Sequence, residues 1–181
     1  MPVLFDTNIL LLLLQPDAKP PLDPQTGLPL EHAADRIDYL VRSLTKRRVE
    51  VLIPAPVLTE VLCNAKAATT QYIEQLQLSP FRIAAFDTRA AIECSQLLVH
   101  HHRTKKITKG QTALGGRGKI NLDRQIVAIS VVNRVELIYS DDEDVFKEAG
   151  RVGIKVSRSV DLVRNPGNLQ SRLDFSEQGL P

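Results

Sequence analysis

Short apolar runs rich in β-branched residues alternate with helix-period segments along this 181-residue chain, and that alternation restricts its fold more than any other feature. VLF (3–5) reads as a strand that passes into a helix from about Thr7. VEVLIPA (49–55), FRIAAF (81–86), VELIYS (135–140) and GIKVS (153–157) read as four further strands. Between them the spacing predicts a helix over 31–46, with Ala34, Ile37, Leu40, Val41 and Leu44 on its apolar face. Pro56 suits a first helical turn, and Val57, Leu58, Val61 and Leu62 follow it, with helical pieces expected as far as Leu78. Asp87 or Thr88 caps a helix to about His101, LDRQIVAISVV (122–132) is helical, and a short helix follows DDED and ends at Gly150. Strands alternating with helices through short turns predict an α/β sandwich around a mainly parallel sheet of about five strands.

The length predicts one domain over 1–163. It carries two loop insertions: 16–30, with five of the eleven prolines, and 103–119. A polar tail with Pro and Gly, 164–181, is expected to be loosely held. A net charge of +2 is too small to argue for a nucleic-acid partner by itself. Cys63 and Cys94 fit no metal-ligand spacing and no disulfide framework, so both are expected to be reduced, buried hydrophobes. The run Ile9 to Leu14 is six residues long and follows Asp6 and Asn8. A spanning helix needs about 20 apolar residues and a signal peptide needs basic flanks, so a cytoplasmic protein without a membrane partner is expected.

In open parallel sheets, sites form outside the carboxyl ends of the strands. Asp6 directly follows the first strand. Asp141, Asp142, Glu143 and Asp144 follow VELIYS. Glu60 lies one turn into the helix after VEVLIPA, and Asp123 is read as beginning the helix before VELIYS. Each has a plain structural use: Asp6 as a helix cap, Asp123 at the positive end of a helix, and part of DDED as a solvated helix start. Glu60 falls within about 60° of Val57 and Cys63 on the helical wheel, at the edge of the apolar face. If these acids converge, their repulsion must be offset. Mg²⁺ or Mn²⁺ suits an all-oxygen site, and such ions activate water and stabilise charge on a phosphodiester.

The segments VLFDTNILL, IPAPVLTEV, FDTRAAIECSQLL, INLDRQIVAISV and LIYSDDEDVFKEAG, in this order, resemble the PIN-domain family, nearest to ribonucleases of the VapC toxin type. The resemblance spans roughly residues 2–160. It implies a Rossmann-like α/β/α fold and a Mg²⁺- or Mn²⁺-dependent endoribonuclease that leaves 5′-phosphate and 3′-hydroxyl ends. It also implies an antitoxin partner and a homodimer. By the resemblance Asp6, Glu60, Asp123 and Asp142 are the catalytic metal ligands, with Asp144 as the alternative fourth acid and Asn8 and Ser140 in support. Ala55 stands where many relatives carry a Ser or Thr cap, and the two insertions and the tail lengthen the chain beyond typical toxins.

Residues 100–119 hold six Lys/Arg, three His and no acid. Such runs are often solvated loops. The other reading is an arm whose Arg103, Lys105, Lys106, Lys109, Arg117 and Lys119 contact RNA phosphates, with Gly115, Gly116 and Gly118 letting it bend. Adjacent helical histidines point about 100° apart and cannot share an ion, and Gly118-Lys119-Ile120 breaks the phosphate-loop pattern G-x-x-x-x-G-K-[ST]. The alternative to an enzyme is a PIN-fold module that binds RNA or protein without turnover.

Overall fold

The computed structural model describes residues 1–15, 17–104 and 114–166, with side chains except at Lys66, 98–104 and 114–121. Five parallel strands, β1 (Val3–Phe5), β2 (Val51–Pro54), β3 (Arg82–Ala84), β4 (Leu137–Tyr139) and β5 (Lys155–Ser157), form one sheet in the order β3-β2-β1-β4-β5. All four pairings are parallel, with Val3 opposite Val51 on one side and Leu137 on the other. The α/β class and the parallel sheet expected from the alternation are what the chain forms.

Every residue of β1 and β2 is buried, which is why these strands are continuous apolar runs rather than alternating ones. Phe5, fully buried, meets Phe81 and Tyr139 edge-on, with ring centroids 5.9 and 5.5 Å apart. The helices are α1 (Thr7–Leu14), α2 (Ala33–Lys46), α3 (Ala55–Ala65), α4 (Thr69–Leu78), α5 (Thr88–Thr104), α6 (Leu114–Val132) and α7 (Glu143–Arg151). Helices α1 to α4 pack among themselves, as do α5 to α7. Helix α3 also packs against α6, which joins the two groups. In α2 it is Ala33 that is buried with Ile37 and Leu44, and Ala34 is exposed.

Several expectations are corrected. Helix α6 starts at Leu114, so Asp123 sits in mid-helix rather than at the start, and Gly115, Gly116 and Gly118 lie within helical backbone. Packing of α6 against α5, α3 and α7 outweighs the low helix propensity of glycine. Lys105, Lys106 and Lys109 lie outside the described residues, as do the side chains of Arg103, Arg117 and Lys119. Cys94 is buried but Cys63 is exposed, and both are free; α3 turns Val57 and Val61 inward and leaves Cys63 outside. In the Pro-rich segment, Leu22 and Pro29 form an antiparallel bridge and Leu30 is buried in the core. Arg164, at the start of the expected tail, reaches Glu31 Oε2 at 2.9 Å, and the tail from 167 lies outside the described residues.

The central position of Phe5 yields a prediction. Phe5→Ala should destabilise the protein by about 3–5 kcal/mol, read as a lower urea midpoint at unchanged slope; a loss under about 1 kcal/mol would contradict the core described.

Candidate active site

The sheet order reverses direction between β1 and β4, and a crevice opens at such a switch point beyond the strand ends. Asp6 follows β1 and Ser140, Asp141 and Asp142 follow β4, so the backbone delivers these side chains to one place. The Asp6 N–H donates to the Tyr139 carbonyl at 3.1 Å, which extends the β1–β4 ladder to the first acid.

Asp6 is 5% exposed. Its Oδ1 accepts from the Thr7 N–H at 2.7 Å, capping α1, and its Oδ2 accepts from the Ser140 hydroxyl at 2.5 Å. The cap and the site therefore use opposite oxygens of one carboxylate. The Ser140 oxygen in turn accepts from the Asp142 N–H at 3.0 Å, and Asp142 Oδ1 accepts from the Asp144 N–H at 2.7 Å, capping α7. On the other side the Thr7 hydroxyl donates to Glu60 Oε2 at 2.6 Å. One run of hydrogen bonds thus joins Glu60, Thr7, Asp6, Ser140, Asp142 and Asp144 across the ends of β2, β1 and β4.

Among the described residues, Asp123, Asp142 and Asp144 each bring one carboxylate oxygen within 4.8 Å of the others. Asp123 is buried on α6, and the other two are partly exposed. Asp144, read from sequence as the alternative to Asp142, stands beside it in the same cluster. Asp141 is turned elsewhere: its two oxygens accept from the Ser159 N–H and hydroxyl at 2.8 and 2.5 Å. Glu143 is exposed and pairs with Arg158. Glu60, partly buried, is outside the cluster of three but close enough to act on Asp6. Asn8 is exposed on α1 and lines a surface cavity of about 380 Å³ with Leu11, Gln15 and Lys19; among the described residues no side-chain hydrogen bond ties it to the acids.

Thr7 is the residue that motif reading passed over. Its signal was weak: a small hydroxyl between two conspicuous polar residues, whose partner Glu60 lies 53 positions away. The pair Arg124 and Glu148 was also passed over, because nothing in the sequence marks either as buried.

Burial pushes the Asp6 carboxyl up from 3.8 to about 6, opposed by the Ser140 and Thr7 hydrogen bonds and reinforced by the charges of Asp142 and Glu60. The set has no Cys or His, so its chemistry is that of an oxygen site for hard cations. Three oxygens already gathered within ion-binding range fit such a cation, which would relieve their mutual repulsion.

No family model matches the sequence, and no curated protein matches it. Solved structures do match. A chain of the VapBC2 complex from Rickettsia felis, bound to a promoter DNA fragment, is 15% identical, with 87% of this chain and 98% of that one covered and a TM-score of 0.57. DNA-bound VapBC from Salmonella typhimurium is 17% identical, with coverages of 88% and 98% and a TM-score of 0.54. VapC20 of Mycobacterium tuberculosis, a toxin that cleaves the sarcin–ricin loop, is 15% identical, with coverages of 90% and 99% and a TM-score of 0.50. At these identities the likeness is one of fold: the chain has the PIN-type fold of VapC proteins that its motifs resemble. Among the described residues no helix is long and apolar enough to cross a membrane.

The raised Asp6 carboxyl sets a pH signature. Between about pH 4 and 6 the folded protein holds a proton that the unfolded chain has released, so stability falls as pH rises through this window. Above it the cost is complete, about 3 kcal/mol for a shift of this size. Asp6→Asn keeps an acceptor for Thr7 and removes the charge. In EDTA it should be more stable than wild type at pH 7.5, by up to about 3 kcal/mol, and the gain should vanish near pH 4. Urea unfolding across pH checks this; an Asp6→Asn protein no more stable than wild type at pH 7.5 would contradict it.

Proposed function

We propose that the protein is a Mg²⁺- or Mn²⁺-dependent endoribonuclease that hydrolyses RNA phosphodiester bonds. The observation that carries this reading is the convergence of Asp123, Asp142 and Asp144, with Asp6 hydrogen-bonded to the same run, at the switch point of a parallel sheet. Asp123, Asp142 and Asp144 would hold an ion, and Asp6 and Glu60 complete the acidic wall on which it or a second ion bears. A divalent ion there supplies activation of water and stabilisation of charge on the phosphodiester.

The chain's own residues prepare the site. Ser140 holds the Asp6 carboxylate and the Asp142 backbone in register through one oxygen. Thr7 turns Glu60 toward Asp6, so the two acids arrive oriented. Their charge also repels RNA at long range, and the cationic residues Arg103, Lys105, Lys106, Lys109, Arg117 and Lys119 would offset that repulsion by contacting phosphates.

The biological setting is that of a toxin in a toxin–antitoxin pair, acting in the cytoplasm as a homodimer and held inactive by a protein antitoxin. Likeness of fold to VapC and VapBC structures over 87–90% of the chain supports this.

Purified protein should cut structured RNA with Mn²⁺ or Mg²⁺ and not in EDTA. Metal sites of this type contribute several kcal/mol of transition-state stabilisation, so Asp6→Asn and Asp123→Asn should each lower the rate by about 100-fold or more. The Asp6 variant should do so while being the more stable protein in EDTA. Cleavage at the wild-type rate by either variant would overturn the proposal.

A further inference from the structure

Arg124 and Glu148 are 4% and 6% exposed, and no step described so far uses them. Arg124 follows Asp123 on α6. Glu148 lies on α7, one helical turn beyond Asp144 and on the same face. Arg124 Nη2 and Glu148 Oε1 are 3.4 Å apart, and Arg151 Nη1 meets the same oxygen at 2.5 Å. Taking such ions out of water is costly, and apolar residues of similar volume often serve a core as well or better. The pairing is also incomplete, since Arg124 Nε and Glu148 Oε2 have no hydrogen-bond partner among the described residues. Stability is therefore a poor account of why these charges are buried.

What the pair does fix is the placement of α6 against α7, the two helices that bring Asp123 to Asp142 and Asp144. Arg124 is the residue next to Asp123 on α6, and Glu148 lies four residues beyond Asp144 on α7, about 6 Å along that helix at 1.5 Å per residue. We propose that Arg124 and Glu148, steadied by Arg151, are positioning residues that hold the three carboxylates at ion-binding spacing against their own repulsion before the ion enters. The inference rests on the reading of Asp123, Asp142 and Asp144 as metal ligands. Partners that orient metal ligands from outside the coordination shell are typically worth about 10- to 100-fold in metal affinity.

Mn²⁺ titrations followed by the thermal midpoint test this without any assay of cleavage. The wild-type midpoint should rise with Mn²⁺, and that of Asp123→Asn should not. The double variant Arg124→Met/Glu148→Leu should keep its midpoint in EDTA within a few degrees of wild type, yet need about 10- to 100-fold more Mn²⁺ for half the shift. Glu148→Gln, which keeps the side chain's shape, should show the same direction with a smaller change. If wild type responds and both variants respond at the same Mn²⁺ concentration, the positioning role is overturned and the metal reading stands. If wild type shows no response, the metal reading fails and the positioning role with it. If both variants are unfolded in EDTA, the pair is a support of the whole core and the proposal is overturned.

Discussion

The carboxylate of Asp6, buried at the end of the central strand and shared between the Thr7 amide and the Ser140 hydroxyl, is the constraint around which the rest of the site is arranged. It fixes the start of α1, and it ties the end of β1 to the end of β4 through a side chain as well as through the ladder. Because Ser140 also receives the Asp142 N–H, the start of α7 is set by the same contact. Thr7 extends the arrangement to Glu60 on α3. An acid placed here therefore orders three helices at once, and any displacement of it would be felt at every other acid.

The cost of this arrangement is electrostatic. Burial and the charges of Asp142 and Glu60 raise the Asp6 carboxyl toward neutrality, and Asp123, Asp142 and Asp144 crowd like charges within 4.8 Å. A protein selected for stability alone would place apolar or amide side chains at these points. A hard cation would relieve that tension, and the surrounding packing, with β1 and β2 buried throughout, is what keeps the acids in place without one.

Much of this was legible in the sequence, for physical reasons that differ by element. The inner strands β1, β2 and β4 follow from apolar runs that a buried parallel sheet requires. The edge strands β3 and β5 are more exposed and are marked by β-branched residues between helices. Asp6 and the DDED run stood out because polar residues directly followed the inner runs. The division of labour within DDED was not legible. Asp141 serves Ser159, Glu143 serves Arg158, and only Asp142 and Asp144 face Asp123, distinctions made by partners about 15 or more residues away. The start of α6 was misplaced because its first turns are rich in glycine and gain their helical backbone from packing rather than propensity. Cys63 was misassigned to the interior because helical phase alone does not say how wide the buried stripe is. The Arg124–Glu148 pair and the Thr7–Glu60 bond are long-range contacts with no local signature.

The central claim is that Asp123, Asp142 and Asp144 form a cation site at the switch point of the sheet. Anomalous scattering from a Mn²⁺-soaked crystal of the protein tests it most directly. A manganese peak is expected within about 2.0–2.6 Å of one oxygen from each of these three acids, with Asp6 and Ser140 still hydrogen-bonded beside it. A crystal with no peak there, or with manganese bound only elsewhere on the surface, would contradict it.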